Sequence, residues 1–337
     1  MRIYGLVVRI IRQFFRDKRS LALMFGAPVL VLWLLSLVFA SDAYKPKISL
    51  VNVPAQFMDA MKKQNAVITE DSEAKAKEKI KNGDIDGIIQ GSNNKIAVTL
   101  EGSDPSKNSA VLKVLQQSTE QPNQAKPDIF YYHGSKDFSM FDSLGPVLIG
   151  FFSFFFVFLL SGIAFIRERL SGTLERLLST PIRRWEIVIG YIIGFGIFAI
   201  LQSVLIVSFS IYVLNMYMIG SIWSIWLTTC ALSLTALTLG TFLSAYANNE
   251  FQMIQFIPLI VVPQLFFSGL FPIDSMSEAL QWLGKLLPLT YGADAMREIM
   301  IRNEGFGSIA GDLGILFLFS LVFAIGNVFA LKKHRRI

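Results

Sequence analysis

Six stretches of this 337-residue chain are long, apolar and free of Asp, Glu, Lys and Arg. A helix that crosses a bilayer needs roughly 20 apolar residues, because lipid offers no hydrogen-bond partner to an unpaired backbone group. Only 17% of the residues are charged, whereas soluble domains carry about a quarter. The sequence therefore predicts a polytopic α-helical membrane protein with six transmembrane helices. The predicted spans are Leu21–Ala40, Leu144–Ile166, Ile187–Leu214, Ile222–Ala245, Met253–Phe271 and Leu313–Leu331.

Basic residues near the ends of these spans predict the orientation, because Lys and Arg accumulate on the cytoplasmic side. They cluster in residues 1–19, in the loop 167–186 and in the tail 332–337. Six spans place all three clusters on one side, so both termini are predicted to be cytoplasmic in a multi-pass protein of the plasma membrane. A cleaved signal peptide is the alternative for the N-terminus. The first apolar stretch (20–40) exceeds the roughly 7 to 15 residues of a signal, which favours a span.

Residues 1–19 are predicted to form an amphipathic interfacial helix. At 100° per residue, six apolar residues lie on one face and four arginines on the other. The apolar face is expected in the cytoplasmic leaflet, with the arginines near lipid phosphates. The alternative is a charge cluster that only sets the topology. The apolar residues are Ile3, Leu6, Val7, Ile10, Ile11 and Phe14, and the arginines are Arg2, Arg9, Arg12 and Arg16.

Residues 41–142 differ in composition, with thirteen Lys, fourteen acidic residues and no Arg. Apolar and alternating patterns at Ile48–Val53 and Ile96–Leu100 predict strands. Helices are predicted from Asp71 or Ser72 to Gly83 and from Asp104 onward. The sequence thus predicts a small α/β extracytoplasmic domain between the first and second spans, with residues 121–142 as the return linker.

Residues 143–337 hold the other five spans, and small residues in two of them predict close helix packing. Gly190 and Gly194 form a GxxxG motif in the third span, while Ala236, Gly240 and Ser244 form a ridge on the fourth. A pore-lining role for these positions is the alternative.

Prolines and short apolar patterns shape the rest of this region. Pro258 and Pro263 are predicted to kink the fifth span. The outer connector 272–308 is predicted to hold two short helices, Ser275–Leu287 and Tyr291–Ile301, in a re-entrant or interfacial position. A plain extracellular loop is the alternative there.

Two stretches resemble the permease subunits of ABC-2 type transporters. They read RERLSGTLERLLSTPIRRWEIVIGY from Arg167 and LFFSGLFPIDSMSEALQWLGKLLPLTYGADAMREIM from Leu265, and the resemblance covers essentially the whole chain. It implies two copies of a separate ABC ATPase subunit and a second permease subunit, identical or homologous. It also implies that the loop 167–186 contacts the ATPase. The implied contact or shape residues are Glu168, Arg169, Gly172, Thr173, Glu175, Leu178 and Pro181.

The residues of this loop support that comparison on physical grounds. Gly172-Thr173 is predicted to break the second helix, and Thr173 to cap a short helix that stops before Pro181. A rigid loop that is charged and partly apolar suits docking into the groove of a partner.

No catalytic, cofactor-binding or metal-binding residue is predicted. The chain lacks a GxxxxGK[ST] phosphate loop, so ATP-Mg is expected on the partner subunit and this chain is not expected to be an enzyme. Cys230 has no second cysteine to pair with, and His133 and His334 fall on opposite predicted sides of the membrane. Membrane lipid is an expected partner and nucleic acid is not.

The expected function is ATP-driven export of an amphiphilic or hydrophobic molecule such as a drug, an antibiotic or a lipid-like compound. Charge-free spans and the Phe-rich run from Phe151 to Phe158 favour such a cargo. One alternative is an ion-coupled secondary transporter, although these usually keep ionisable groups inside their spans. Another alternative is a membrane sensor whose extracytoplasmic domain binds a ligand.

Overall fold

The computed structural model describes residues 2–39, 45–62, 64–92, 95–101, 105–119, 139–271 and 277–333. Six helices in these ranges are long and apolar enough to cross a membrane. The predicted polytopic helical protein with six spans is confirmed for this described part of the chain. In chain order the spans are Lys18–Phe39, Met140–Leu170, Arg184–Tyr212, Ile222–Ser244, Glu250–Leu270 and Phe306–Leu331.

Some sequence predictions concern residues outside the described ranges. These are Ala40, Asp104, most of the linker 121–142 with His133, the start of the connector at 272–276, and the tail from His334 onward. The chain divides into two compact units, Met1–Ala40 with Tyr131–Ile337, and Ser41–Phe130. Within its described residues, the first unit also contains four shorter helices: Arg2–Arg16, Thr173–Leu178, Glu278–Gly284 and Pro288–Met300.

The second and sixth spans extend furthest beyond their predicted apolar stretches, because polar residues continue the helix. The second span begins with a capping box in which the Ser139 hydroxyl accepts from the Asp142 backbone N–H and Asp142 accepts from Ser139. The sixth span begins at Phe306 rather than Leu313, so Asp312 lies inside it. The predicted stretch Leu313–Leu331 is itself free of charged residues, and the helix begins seven residues before it.

The fifth span is irregular, as its two prolines predict. Wider π-helical turns occupy Ile257–Val261 and Phe266–Leu270. Pro258 is the second residue of the first of these turns, and a proline there cannot donate the regular helical hydrogen bond. Gly269 has a left-handed φ of 82° near the end of the span, a conformation that glycine adopts without steric cost. This span is a series of short helical pieces.

The second and fourth spans approach each other closely at the small-residue ridge. A Cβ on Gly240 would lie 2.5 Å from the Phe158 carbonyl oxygen, so only glycine fits there. Ala236 and Ser244, on the same ridge, are fully buried. Phe154 and Phe158 are also fully buried, which places these rings in the packed core of this chain.

The N-terminal helix (Arg2–Arg16) packs its apolar face on the third span. A Cβ on Gly194 would lie 2.9 Å from Ile10 Cγ2, and Gly190 lies against Leu6 in the same way. Leu6, Ile10 and Phe14 are each no more than 5% exposed. The GxxxG motif therefore receives this helix rather than another span. This corrects the expectation that the apolar face lies in lipid, because the two glycines open a groove that protein fills.

The described residues of the unit Ser41–Phe130 form four strands, which are β1 (Lys47–Val51), β2 (Val67–Glu70), β3 (Gly87–Ser92) and β4 (Lys95–Leu100). They make one sheet in the order β2-β1-β3-β4. β1 runs parallel to β2 and β3, and β4 is antiparallel to β3. Leu50 and Val51 are consecutive in β1 and lie in different buried clusters, because successive strand residues face opposite sides. The helices described in this unit are Ala55–Lys62, Glu73–Lys81 and Pro105–Thr119.

Asp71, a buried carboxylate just after β2, should make the folding of this unit sensitive to acid. Asp71 is 3% exposed and accepts a 2.6 Å hydrogen bond from Lys79 Nζ. Bonds to Lys79, Thr69 and Ser49 lower the pKa of Asp71 from 3.8 to about 2. The depressed folded-state pKa means that this carboxylate stabilises the fold above pH 3.8, and that the contribution is lost as pH falls toward 2.

We therefore expect Asp71→Asn to lower the unfolding temperature at pH 7, with the difference from the parent chain shrinking as pH falls from 3.8 through about 2. Thermal unfolding of the full chain at several pH values measures this. Glu70→Gln, at the exposed neighbouring carboxylate, is the matched control and should change little. A pH-independent difference for Asp71→Asn would contradict the assignment.

Candidate functional site

The second span ends in a sharp turn that starts the loop 167–186. Its last helical residue is Leu170, and Gly172 follows in the left-handed region with φ 70°. A side chain would strain this conformation, so glycine permits the chain to reverse. The break at Gly172-Thr173 agrees with the sequence prediction, but the capping role of Thr173 does not. Gly172 is the cap, and the Thr173 hydroxyl is 2.9 Å from the Ser171 hydroxyl.

The short helix Thr173–Leu178, which we call the loop helix, is anchored on one side and exposed on the other. Leu174 is 1% exposed, while Glu175 is exposed and Leu178 is partly exposed. A groove of about 400 Å³ lies beside it, lined by Arg169, Leu170, Leu174, Glu175 and Leu178. Such a surface, with one buried anchor and both apolar and charged exposed groups, has the chemistry of a protein docking site.

Glu168 lies inside the bundle rather than on the exposed side of the loop helix. Its side chain is 3% exposed, and Oε2 accepts hydrogen bonds from Arg9 Nη2 at 2.9 Å and from Tyr191 Oη at 3.0 Å. Arg9 Nη2 also lies 3.1 Å from Tyr191 Oη. A carboxylate removed from water needs such compensation. The network joins the N-terminal helix, the second span and the third span.

Arg169 caps the C-terminal end of the fourth span. Its guanidinium donates to the backbone carbonyl oxygens of Ser244 at 3.2 Å and Ala245 at 2.8 Å, and also to that of Ala247. The last carbonyl groups of a helix have no partner within it, and a cation there also complements the helix dipole. Arg169 therefore shapes the loop by holding it to the fourth span.

Arg167 extends these connections to the first and fifth spans. It donates to both oxygens of Glu250, at 2.9 and 3.1 Å, and to Asp17 Oδ2 at 3.3 Å. Arg2 Nη1 donates to the Pro181 carbonyl oxygen at 2.6 Å, so the N-terminal helix also holds the far end of the loop. The loop is thus bonded to elements that come from distant parts of the sequence.

Six of these connecting residues were not predicted from the sequence: Arg2, Arg9, Asp17, Arg167, Tyr191 and Glu250. Opposite charges near predicted span ends are a signal for such pairs. The signal is weak, because it does not say which Arg meets which carboxylate. The candidate residues of the loop do lie together at one end of the bundle, which we call the loop end.

The outer connector forms part of the bundle. In the helix Pro288–Met300, Leu289, Ala293 and Met296 are fully buried. Arg297 donates to the Gly269 carbonyl oxygen at 2.8 Å, which ties this helix to the end of the fifth span. Within this helix Arg297 also donates to Asp294 Oδ1 at 3.0 Å. Residues 288–300 thus form a helix that packs against neighbouring spans.

Comparison with known proteins gives a family and several relatives. The sequence model of the family described as ABC-2 family transporter protein matches residues 18–329 of this chain. The chain is 28% identical to the ABC transporter G family member 20 of Dictyostelium discoideum over 225 residues, 66% of this chain and 30% of the relative. It is 23% identical to the probable multidrug ABC transporter permease YbhR of Escherichia coli over 184 residues, 54% of this chain and 50% of the relative.

A third relative is the linearmycin resistance permease protein LnrN of Bacillus subtilis, 26% identical over 168 residues, 48% of this chain and 42% of the relative. The matched part thus spans half or less of the length of each of these three relatives.

Proposed function

Since this chain belongs to the ABC-2 family of transporter proteins, we propose that it is the membrane-spanning permease of an ATP-driven exporter. ATP is hydrolysed on two copies of a separate ABC ATPase, and a second permease, identical or homologous, completes the membrane part. The observation that carries the proposal is the loop helix, which has a buried anchor at Leu174 and an exposed side bearing Glu175. A short helix that is anchored on one side and exposed on the other suits contact with a partner that must move the spans.

We divide the seven candidate loop residues into two groups by their contacts. Glu175, Leu178 and Pro181 lie on the accessible side of the loop and contact the ATPase. The other four give the loop its shape. Glu168 and Arg169 bond it to the bundle, and Gly172 with Thr173 sets the turn.

Movement of the loop helix reaches the spans through the polar connections at the loop end. Glu168 joins it to Arg9 of the N-terminal helix and to Tyr191 of the third span. Arg167 joins it to Glu250 at the start of the fifth span. Because the fifth span is broken by wider turns, a displacement at Glu250 bends it more easily than a regular helix.

The cargo in this proposal is an amphiphilic or hydrophobic molecule moved outward across the plasma membrane. The apolar spans and the names of two relatives, a multidrug permease and a linearmycin resistance permease, support this class. Both termini and the loop 167–186 lie in the cytoplasm, where an ATPase has ATP. Residues 41–142 form a domain outside the cell, and residues 1–19 lie at the inner membrane surface.

The first test is affinity purification of the chain from its native membrane with its complex intact. A copurifying ABC ATPase, whose ATP hydrolysis drives accumulation of an amphiphilic drug in inverted vesicles, is the expected result. Transport that continues after ATP is removed, and stops when the ion gradient is collapsed, would overturn the proposal in favour of an ion-coupled transporter.

The second test is a variant of the docking surface. Glu175→Lys should lower the amount of copurified ATPase about tenfold, which corresponds to about 1.4 kcal/mol, because reversing the charge opposes the complementary charges of a partner surface. The permease should remain folded, since Glu175 is exposed. Glu304→Lys, at an exposed carboxylate between the connector and the sixth span, is the matched control. Equal recovery of ATPase with both variants would remove Glu175 from the contact.

A further inference from the structure

The N-terminal helix (Arg2–Arg16) carries a stripe of apolar and aromatic residues that the chain leaves largely uncovered. Tyr4 is 75% exposed and Phe15 is 60% exposed. Val8 and Ile11 are partly buried and complete the spacing of a single helical stripe. This stripe, which we call the aromatic edge, lies beside the face that packs on the third span. Aromatic residues exposed in this way are typical of the interface between lipid and water.

A ring contact places one end of the aromatic edge beside the apolar part of the third span. The Phe15 ring is 5.4 Å from the Phe198 ring, measured between centroids. Phe198 lies well inside that span, which runs from Arg184 to Tyr212. Near the same level Ile197 and Ile200 are exposed, as expected for residues of a span that face lipid. Phe15 therefore reaches the hydrocarbon of the bilayer, so lipid rather than water covers this part of the edge.

Four basic residues next to the aromatic edge form no ion pair with any carboxylate in the described part of the chain. Asp17, which lies among them in sequence, already pairs with a guanidinium of the second span. The remaining arginines of the helix are engaged within the chain. Arg9 bonds Glu168, and Arg2 donates to a backbone carbonyl oxygen of the loop. The four are all exposed, and we call them the basic edge: Arg12, Arg16, Lys18 and Arg19.

The position of the basic edge makes its unpaired charge costly. Arg16 directly follows Phe15 in the helix, and Arg12 lies one turn before Arg16. A cation beside hydrocarbon needs either an anion or a reach to the level of the lipid headgroups, and the phosphate of a phospholipid provides both. Phosphatidylcholine balances its phosphate with its own choline, whereas an anionic phospholipid keeps a net negative charge. A cluster of about four or more basic residues next to a span therefore favours anionic lipids.

We propose that the basic and aromatic edges together bind an anionic phospholipid of the inner leaflet, with its phosphate at Arg12 and Arg16 and an acyl chain along Phe15. The inference rests on the proposed function, which places the N-terminus in the cytoplasm, and it names the lipid that binds there. The sequence pattern predicted four arginines at lipid phosphates. The structure leaves two of these four for that role, because Arg2 and Arg9 bond within the chain.

The test is photolabelling of the purified full chain in phosphatidylcholine nanodiscs with a trace of phosphatidylglycerol or phosphatidylcholine that carries a diazirine in its acyl chain. Cleavage at methionine releases residues 2–24 as one fragment, and residues 219–253, which include no Lys or Arg, as a reference. Relative to the reference, phosphatidylglycerol should label fragment 2–24 about tenfold more than phosphatidylcholine does. Each basic residue near an anionic lipid contributes about fivefold, so two or more suffice.

Paired variants separate the charge from the helix that carries it. Arg12→Gln with Arg16→Gln should lower the preference for phosphatidylglycerol at least about fivefold, whereas Arg12→Lys with Arg16→Lys should keep it within about twofold. Arg302→Gln, at an exposed arginine between the connector and the sixth span, is the matched control and should leave it unchanged. Thermal unfolding checks that each variant is folded, since neither Arg12 nor Arg16 forms an ion pair within the described chain.

The remaining arms define failure. Equal labelling of fragment 2–24 by the two probes, or an unchanged preference in the glutamine variant, would overturn the proposal. Excess glycerophosphoglycerol, the headgroup without acyl chains, should not displace the probe, and full displacement by it would mean that the site takes a soluble phosphate instead of a lipid. The measurement needs no ATPase, so these failures leave the transport function standing. Absence of a copurifying ATPase would overturn that function and leave the lipid result unaffected.

Discussion

Arg9→Met should destabilise the chain by about 2 to 3 kcal/mol, because it leaves the Glu168 carboxylate buried without its cation. Glu168 is 3% exposed, whereas Arg9 is 32% exposed, so the loss should fall at the lower end of what broken buried pairs cost. Thermal unfolding of the purified chain measures it. Arg12→Met, at an exposed arginine of the same helix, is the matched control and should stay within about 0.5 kcal/mol of the parent.

The double variant Arg9→Met with Glu168→Gln separates the pair from the general loss of a side chain. Removing the stranded charge should recover at least about 1 kcal/mol relative to Arg9→Met alone. Tyr191 remains a donor to the glutamine oxygen, since its hydroxyl already bonds Glu168 at 3.0 Å. Glu168→Gln alone gives the reference loss of stability. If the double variant is less stable than Arg9→Met by that same amount, the two side chains act independently.

Gly240→Ala should have a comparably large effect for a steric reason. The added methyl group would lie 2.5 Å from both the Phe158 carbonyl oxygen and the Ser161 hydroxyl. A backbone carbonyl within a helix cannot turn aside, so the fourth span must move away from the second. We expect a loss of about 1 to 3 kcal/mol, measured as a lower unfolding temperature together with lower transport activity.

Gly196→Ala is the matched control for that variant. It adds the same methyl group to a span at a position with no atom within 4 Å. Alanine favours a helix over glycine by up to about 1 kcal/mol, so this variant should be neutral or slightly stabilising. An equal loss in both variants would mean that glycine itself, rather than the contact with Phe158, matters to these helices.

The loop 167–186 illustrates how far local sequence carries a prediction. The helix break at Gly172 was predictable, because glycine readily adopts the left-handed conformation that a sharp turn needs. The burial of Glu168 was not, because nothing near it in the sequence distinguishes it from the exposed Glu175. The groove for the N-terminal helix was half predictable. Gly190 and Gly194 indicated a close approach, but not that Leu6 and Ile10 would fill it.

By itself, the sequence determined the number of spans, the turn at Gly172 and the irregular fifth helix. Each follows from a local rule about backbone hydrogen bonds or allowed dihedral angles, and needs no knowledge of distant residues. The tertiary structure alone decided which charges meet. Arg9 bonds Glu168 across 159 residues of chain, and Arg167 bonds Glu250 across 83. Such pairs depend on how whole helices pack, because a short-range polar contact exists only after the packing has brought its two ends together.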